Sequence, residues 1–231
     1  MRANRAGRPS PRPLRVVGGK QGSPSPGRKR RSPPTAFVHR FLVSLGDTDP
    51  VVWRRIEVPE SYSFWDLHVA IQDAMGWQDC HLHEFAVVHP DSEILERIGI
   101  PDQEFADERP LLAGWEIHIS GYLRESMPPM LYTYDFGDDW RHVVLYEGTS
   151  PAEDTTKYPR CTSGARRCPP EDCGGPHGYR EFLAAVADPR HPDHRDRLRW
   201  VGGNFDADSF DPGAIRFDDP AVRWKRAFGR S

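Results

Sequence analysis

Two runs dominated by β-forming residues, Phe37 to Leu45 (FVHRFLVSL) and Val51 to Val58 (VVWRRIEV), flank the turn-forming stretch Gly46-Asp-Thr-Asp-Pro50 and predict a β-hairpin that Pro59 closes. Apolar residues then recur at helical spacing: Phe64, Leu67, Ile71 and Ala74/Met75 run from a capping-box start at Ser63 and Asp66 to Gly76, which predicts a helix. Strand character returns over Leu82 to His89. Asp91 to Arg109 reads as a polar loop with a short strand around Ile94 to Ile100, and Trp115 to Ile119 alternates like another strand. Leu131 to Phe136 and Trp140 to Glu147 form the clearest hairpin, turning at Gly137-Asp138-Asp139. Helices are expected over Gly178 to Ala187 and Asp193 to Trp200, followed by a turn-rich closure from Phe205 to Phe217. Strands and helices do not alternate regularly, so the pattern predicts an α+β domain over 36–217. Its sheet should be mixed or largely antiparallel, with a short extension over 218–231.

Charge divides the chain sharply. The first 35 residues hold ten of the 31 Lys and Arg residues and no acid, leaving 21 basic against 34 acidic residues in the remainder, a balance of −13. This Pro-, Gly- and Arg-rich stretch has too few apolar residues to offset its ordering entropy and is expected to be a disordered tail. It can serve as a nucleic-acid-contacting arm, since unpaired cations near phosphates release counterions, or simply as a solvated extension. No apolar run reaches the length of a membrane span, and the basic N-terminus lacks the apolar region of a secretory signal, so a cytoplasmic location is expected. There Cys80, Cys161, Cys168 and Cys173 should be free thiols or metal ligands rather than disulfides.

Candidate chemistry is concentrated in three segments. Arg160 to Tyr179 contains Cys161, Cys168 and Cys173 with His177 four residues beyond, a set of thiolates and an imidazole that suits zinc if the Pro-Pro and Gly-Gly turns gather it. Arg166 and Arg167 would favour a reactive thiolate there; the alternative is a packed loop whose cysteines act as small apolar groups. In the same loop Glu171 and Asp172 can bind a cation or cap the following helix. His81 and His83 at i and i+2 share one face if both lie in a strand, as a metal or proton-transfer pair or as hydrogen-bonded structural histidines. In the hairpin, a three-residue loop sets Asp135 opposite Arg141 and a four-residue loop sets it opposite His142, an Asp-His pair able to act as a base or ligand; Asp138 and Asp139 read as turn residues. His81, Asp135, His142, Glu171 and Asp172 are therefore the catalytic candidates. No Walker loop, dinucleotide fingerprint, HExxH or GxSxG occurs, which excludes the hydrolases and nucleotide enzymes recognised by those motifs.

Taken together, VVWRRIEVPES, LHVAIQDAMGWQDCHLHEF, YTYDFGDDWRHVV, CPPEDCGGPHGYREFLAAVADPRHP and FDADSFD resemble, in order, the blocks of the plasmid pRiA4b ORF-3-like family, which includes TnpR-like passenger proteins of insertion elements. Arg216 stands where members of that family commonly have Asn. The resemblance implies a single α+β domain associated with plasmids or mobile elements, with no established activity and no resolvase framework. Two readings stay open: a binding or interaction module working through the HLH, YDFGDDW and CPPEDCGG segments, or a metal-dependent enzyme, with nucleic acid as a candidate substrate, in which those segments converge on one ion.

Overall fold

The computed structural model describes residues 36–101 and 110–229. The basic segment 1–35, expected to be disordered and to serve either as a nucleic-acid-contacting arm or as a solvated extension, lies outside the described residues. Strands β1 (Phe37–Leu45) and β2 (Trp53–Pro59) form the first hairpin, with Phe41 paired to Ile56. Helix α1 (Phe64–Met75) starts where the sequence places it. The Ser63 hydroxyl accepts the Asp66 amide proton, the Asp66 carboxylate accepts the Ser63 amide proton, and Gly76 ends the helix in the left-handed conformation at φ 85°. Those two reciprocal bonds satisfy amides that a helix start otherwise leaves unpaired.

The remaining strands are β3 (His83–Val88), β4 (Leu95–Gly99), β5 (Leu111–Ala113), β6 (Met130–Tyr134), β7 (Trp140–Pro151) and β8 (Arg160–Ala165). They complete one eight-stranded sheet in the order β5-β4-β3-β6-β7-β1-β2-β8. Every neighbouring pair is antiparallel except β4 and β5. This is the expected α+β arrangement, with most strand residues in antiparallel ladders. The register of β7 shifts between Arg40 and Phe41 of its partner, and that of β8 shifts between Arg55 and Ile56. Such bulges add twist to the sheet.

Helix α2 (Gly175–Ala187) buries Tyr179 and Phe182 in the same core as Phe64, Leu67 and Ile71 of α1 and the inward residues Phe41, Phe85, Tyr132, Tyr134 and Trp140 of the sheet. Full burial of a side chain such as Leu67 or Ile71 contributes about 2 kcal/mol. Helix α3 (His194–Trp200) follows α2. Helix α4 (Pro220–Phe228), inside the expected extension, seats Trp224 and Phe228 with Trp65 and Val69 of α1 in a second cluster, and the Trp65 indole donates to the Pro220 carbonyl.

Three local expectations differ from the structure. Trp115 to Ile119 makes only a single bridge, Ser63 to His118, because its backbone serves a turn and α1: the Glu116 amide bonds Ala113, and the Ile117 carbonyl accepts from Phe64. The β6–β7 loop holds five residues, since Tyr134 pairs with Trp140 and Tyr132 with His142. Asp135 therefore faces neither His142 nor Arg141, and Arg141 instead pairs with Asp139 at 2.6 Å. Finally, α2 begins at Gly175 with Gly174 as its N-cap and no side-chain cap, so Glu171 and Asp172 do not cap it. Among the described residues no helix is long and apolar enough to cross a membrane.

Candidate functional site

Strand pairing builds the site. His83 of β3 sits opposite Tyr134 of β6, and just past the ladder the Asp135 amide donates to the Leu82 carbonyl at 3.0 Å, bringing the segment before β3 against the start of the five-residue loop. Asp135 has φ 54°, a left-handed conformation that Asp tolerates better than most residues. Its Oδ1 accepts from the amides of Gly137 (2.9 Å) and Asp138 (3.3 Å), which fixes the carboxylate and leaves Oδ2 facing His81.

The cysteine-rich segment supplies the third side. The Asp138 carboxylate accepts the Gly174 amide proton at 3.0 Å, tying that segment to the loop. Gly175, at φ 68°, lets its backbone touch the Asp138 carbonyl where a Cβ would collide. Glu171 accepts from the Gln78 amide (2.7 Å) and the Tyr134 hydroxyl (3.1 Å), while the same hydroxyl accepts from the Cys80 amide. Burial pushes the Glu171 carboxyl up, against those hydrogen bonds. Glu171 is thus a buttress that positions its neighbour, Asp172.

The result is a compact group of three. His81 Nε2 lies 3.1 Å from Asp172 Oδ1 and 3.6 Å from Asp135 Oδ2, and one ligand atom from each residue falls within 4.8 Å of the others. His81 Nε2 is shielded from solvent and makes no hydrogen bond with either carboxylate. Asp135 is buried and Asp172 exposed, so the group opens outward on one side.

Other candidates are placed elsewhere. His83 is buried and stacks on His68 with ring centroids 3.4 Å apart, so it does not share a face with His81; β3 begins only at His83. His68 bonds the Tyr132 hydroxyl and Asp79, both at 2.8 Å, and the positive charge and hydrogen bonding around Asp79 outweigh its burial to hold it at about 2. His142 lies in the core against Trp77 and Tyr132, apart from Asp135.

The expected zinc set, Cys161, Cys168, Cys173 and His177, is not gathered. Cys161 is on β8 with its thiol directed at the Ser163 carbonyl, Cys168 and Cys173 are core residues, and His177 points outward from α2 toward Glu181. All four cysteines are free, and among the described residues the only convergent group of this kind is His81, Asp135 and Asp172. Nor is the segment a site of activated thiolates: burial pushes Cys161 and Cys168 up and Cys173 up to about 12, overriding the nearby arginines. The support from Tyr134, Gln78 and Asp138 had no sequence signal beyond a tyrosine on the inner face of a strand and an acid in a turn.

The likeness to known proteins covers this whole framework. The chain is 37% identical over 198 residues to the uncharacterized protein y4hQ of Sinorhizobium fredii, with 83% of this chain and 96% of that one aligned. It is also similar to the crystal structure of MM3350, a protein of unknown function from Methanosarcina mazei Go1, at 40% identity and a TM-score of 0.73, covering 79% of this chain and 99% of the other. With the plasmid pRiA4b ORF-3-like model matching residues 38–214, from β1 into the closure that follows α3, the chain belongs to that family.

Proposed function

We propose that this domain is a divalent-metal-binding module whose ion is held by His81, Asp135 and Asp172. The observation that carries the reading is the spacing of the donor atoms. Ligands about 2.1 Å from a tetrahedral metal lie about 3.4 Å apart, and His81 Nε2 stands 3.1 and 3.6 Å from the two carboxylate oxygens without hydrogen-bonding either. One imidazole with two carboxylates suits a borderline or hard cation such as Zn²⁺ or Mn²⁺. The buried, doubly hydrogen-bonded Asp135 supplies the fixed ligand, and exposed Asp172 lies on the side from which an ion or its further ligands arrive.

Three protein ligands with further positions toward solvent are the pattern of catalytic rather than structural metal sites. That supports metal-dependent hydrolysis as the chemistry to screen. The association with plasmids or mobile elements rests on the family's name, and a cytoplasmic location is supported by four unpaired cysteines. A metal-free interaction module is the competing reading, in which His81 simply packs between the two carboxylates.

Calorimetric titration of chelator-treated protein with Mn²⁺ and Zn²⁺ separates the two. One ion per chain is expected, with affinity lowered at least tenfold in His81→Ala and Asp172→Asn and retained in Glu171→Gln. Absence of binding to the folded wild-type chain would refute the metal site.

A further inference from the structure

Beside Asp172 lies a cavity of about 470 Å³, within the size range of small-molecule sites and too small for a nucleic-acid duplex. Its lining includes Trp77, Trp200 and Phe205 together with Glu171, Asp172 and Arg167. Trp77 is buried and held by its indole bond to the Pro169 carbonyl, whereas Trp200 is 45% exposed. The Arg167 guanidinium lies over the Phe205 ring, 4.5 Å from its centroid, and is exposed. Its one side-chain hydrogen bond goes to the Asn204 carbonyl at 3.3 Å, and among the described residues it has no carboxylate partner. The acids of this cavity therefore leave Arg167 unneutralised: Glu171 is turned to Tyr134 and Gln78, and Asp172 to His81.

An arginine kept flat by an aromatic ring presents its donor edge to an anion, and a forked guanidinium matches a phosphate better than a point charge does. The exposed indole of Trp200, with the Arg197 guanidinium 6.0 Å from its centroid, offers a face for a planar ring, whereas Trp77 is packed in the core against Tyr134 and Trp140. Resting on the metal-site reading above, we infer that the cavity binds a nucleoside monophosphate. Arg167 would hold its phosphate, the metal carried by His81, Asp135 and Asp172 would supply the second positive charge, and Trp200 would take the base. The negative balance of the chain outside its first 35 residues would repel this ligand without those two cationic anchors, so binding requires the metal as well as the arginine.

Equilibrium dialysis of the full chain with adenosine 5′-monophosphate, with and without Mn²⁺, tests this while the Mn²⁺ bound is measured in the same chambers. Saturable binding only with Mn²⁺ is expected, weakened at least tenfold in Arg167→Ala and in Trp200→Leu. Both residues are exposed, circular dichroism checks that the variants fold, and Mn²⁺ uptake should be unchanged in each. Ribose 5-phosphate and adenosine should each compete at least tenfold less well than the nucleotide. Normal Mn²⁺ uptake without nucleotide binding would overturn this inference and leave the metal site standing, whereas absence of Mn²⁺ uptake would overturn the metal site itself. Equal nucleotide binding without Mn²⁺, or inorganic phosphate competing as well as the nucleotide, would also overturn it.

Discussion

Lowering the pH should destabilise the domain through His142, and the size of the effect follows from where that ring sits. His142 is 1% exposed, its Nδ1 lies 3.2 Å from the Tyr132 carbonyl and accounts for one proton, and Nε2 has no hydrogen-bond partner against the Trp77 ring. A second proton would place an unpaired charge in the aromatic core. Burial accordingly lowers its pKa to about 4 from 6.5, against the two backbone carbonyls that favour the charged form. Because the folded value is the lower one, the unfolded chain takes up the proton first as pH falls through 6.5. The stability contributed by neutral His142 is then complete at neutral pH and lost progressively down to pH 4. A difference of this size corresponds to about 3 kcal/mol, a large share of a typical domain's stability. Urea unfolding at pH 7.5, 5.5 and 4.2 should show the wild type losing stability faster than His142→Gln, which keeps a donor for Tyr132 but cannot charge. The gap between the two should close by roughly this amount at the lowest pH. His83 and His39, also depressed by burial, act in the same direction in both proteins and cancel in the comparison. Parallel pH profiles for wild type and variant would refute the argument.

Further outcomes can be checked independently. A thiol reagent at pH 8 should leave buried Cys168 and Cys173 unmodified in the native state and reach exposed Cys80 first; faster reaction of either buried thiol would contradict their placement. Gly175→Ala should lower stability by about 1–3 kcal/mol and weaken metal binding, since the side chain meets the Asp138 carbonyl at a positive φ, and a normal melting temperature would show that the two segments are not in contact. Arg223 pairs with Asp73 and with Asp218 at 2.9 Å and faces Asp79 at 3.7 Å. Arg223→Met should therefore cost about 3 kcal/mol by stranding partly buried carboxylates, and a change within 0.5 kcal/mol in chemical denaturation would count against that network.

The elements legible in the sequence are those whose causes are local. The Ser63/Asp66 box and Gly76 bracket α1 within fourteen residues, and both hairpins announce themselves through β-forming runs around turn residues. Strand β8 could not be read this way, because Arg160–Ala165 has little β-forming character and is a strand only through its bulged pairing with β2 and the packing of Phe210 over Gly164. Helix α4 carries a visible start, with the Asp219 carboxylate accepting from Ala221 and Pro220 at the first turn, but its stability comes from Trp65, more than 150 residues earlier. In the site, His81, Asp135 and Asp172 were each identifiable as ligand types. Their meeting depends on the β3–β6 register and on the Asp138–Gly174 tie, neither of which local periodicity encodes. The cysteines, chemically the more conspicuous residues, are core packing.

The strand order also sets how the molecule must be made. β1 lies inside the sheet, between β2, its neighbour in sequence, and β7, whose partner residues emerge roughly a hundred positions later. During synthesis the first hairpin therefore waits with the hydrogen-bonding edge of β1 unpaired until β7 leaves the ribosome, and β2 waits longer still for β8. Folding of this chain should be slow for its size and limited by closure of that long loop, and a nascent chain arrested before residue 151 should present β1 as a template for chaperones or for aggregation.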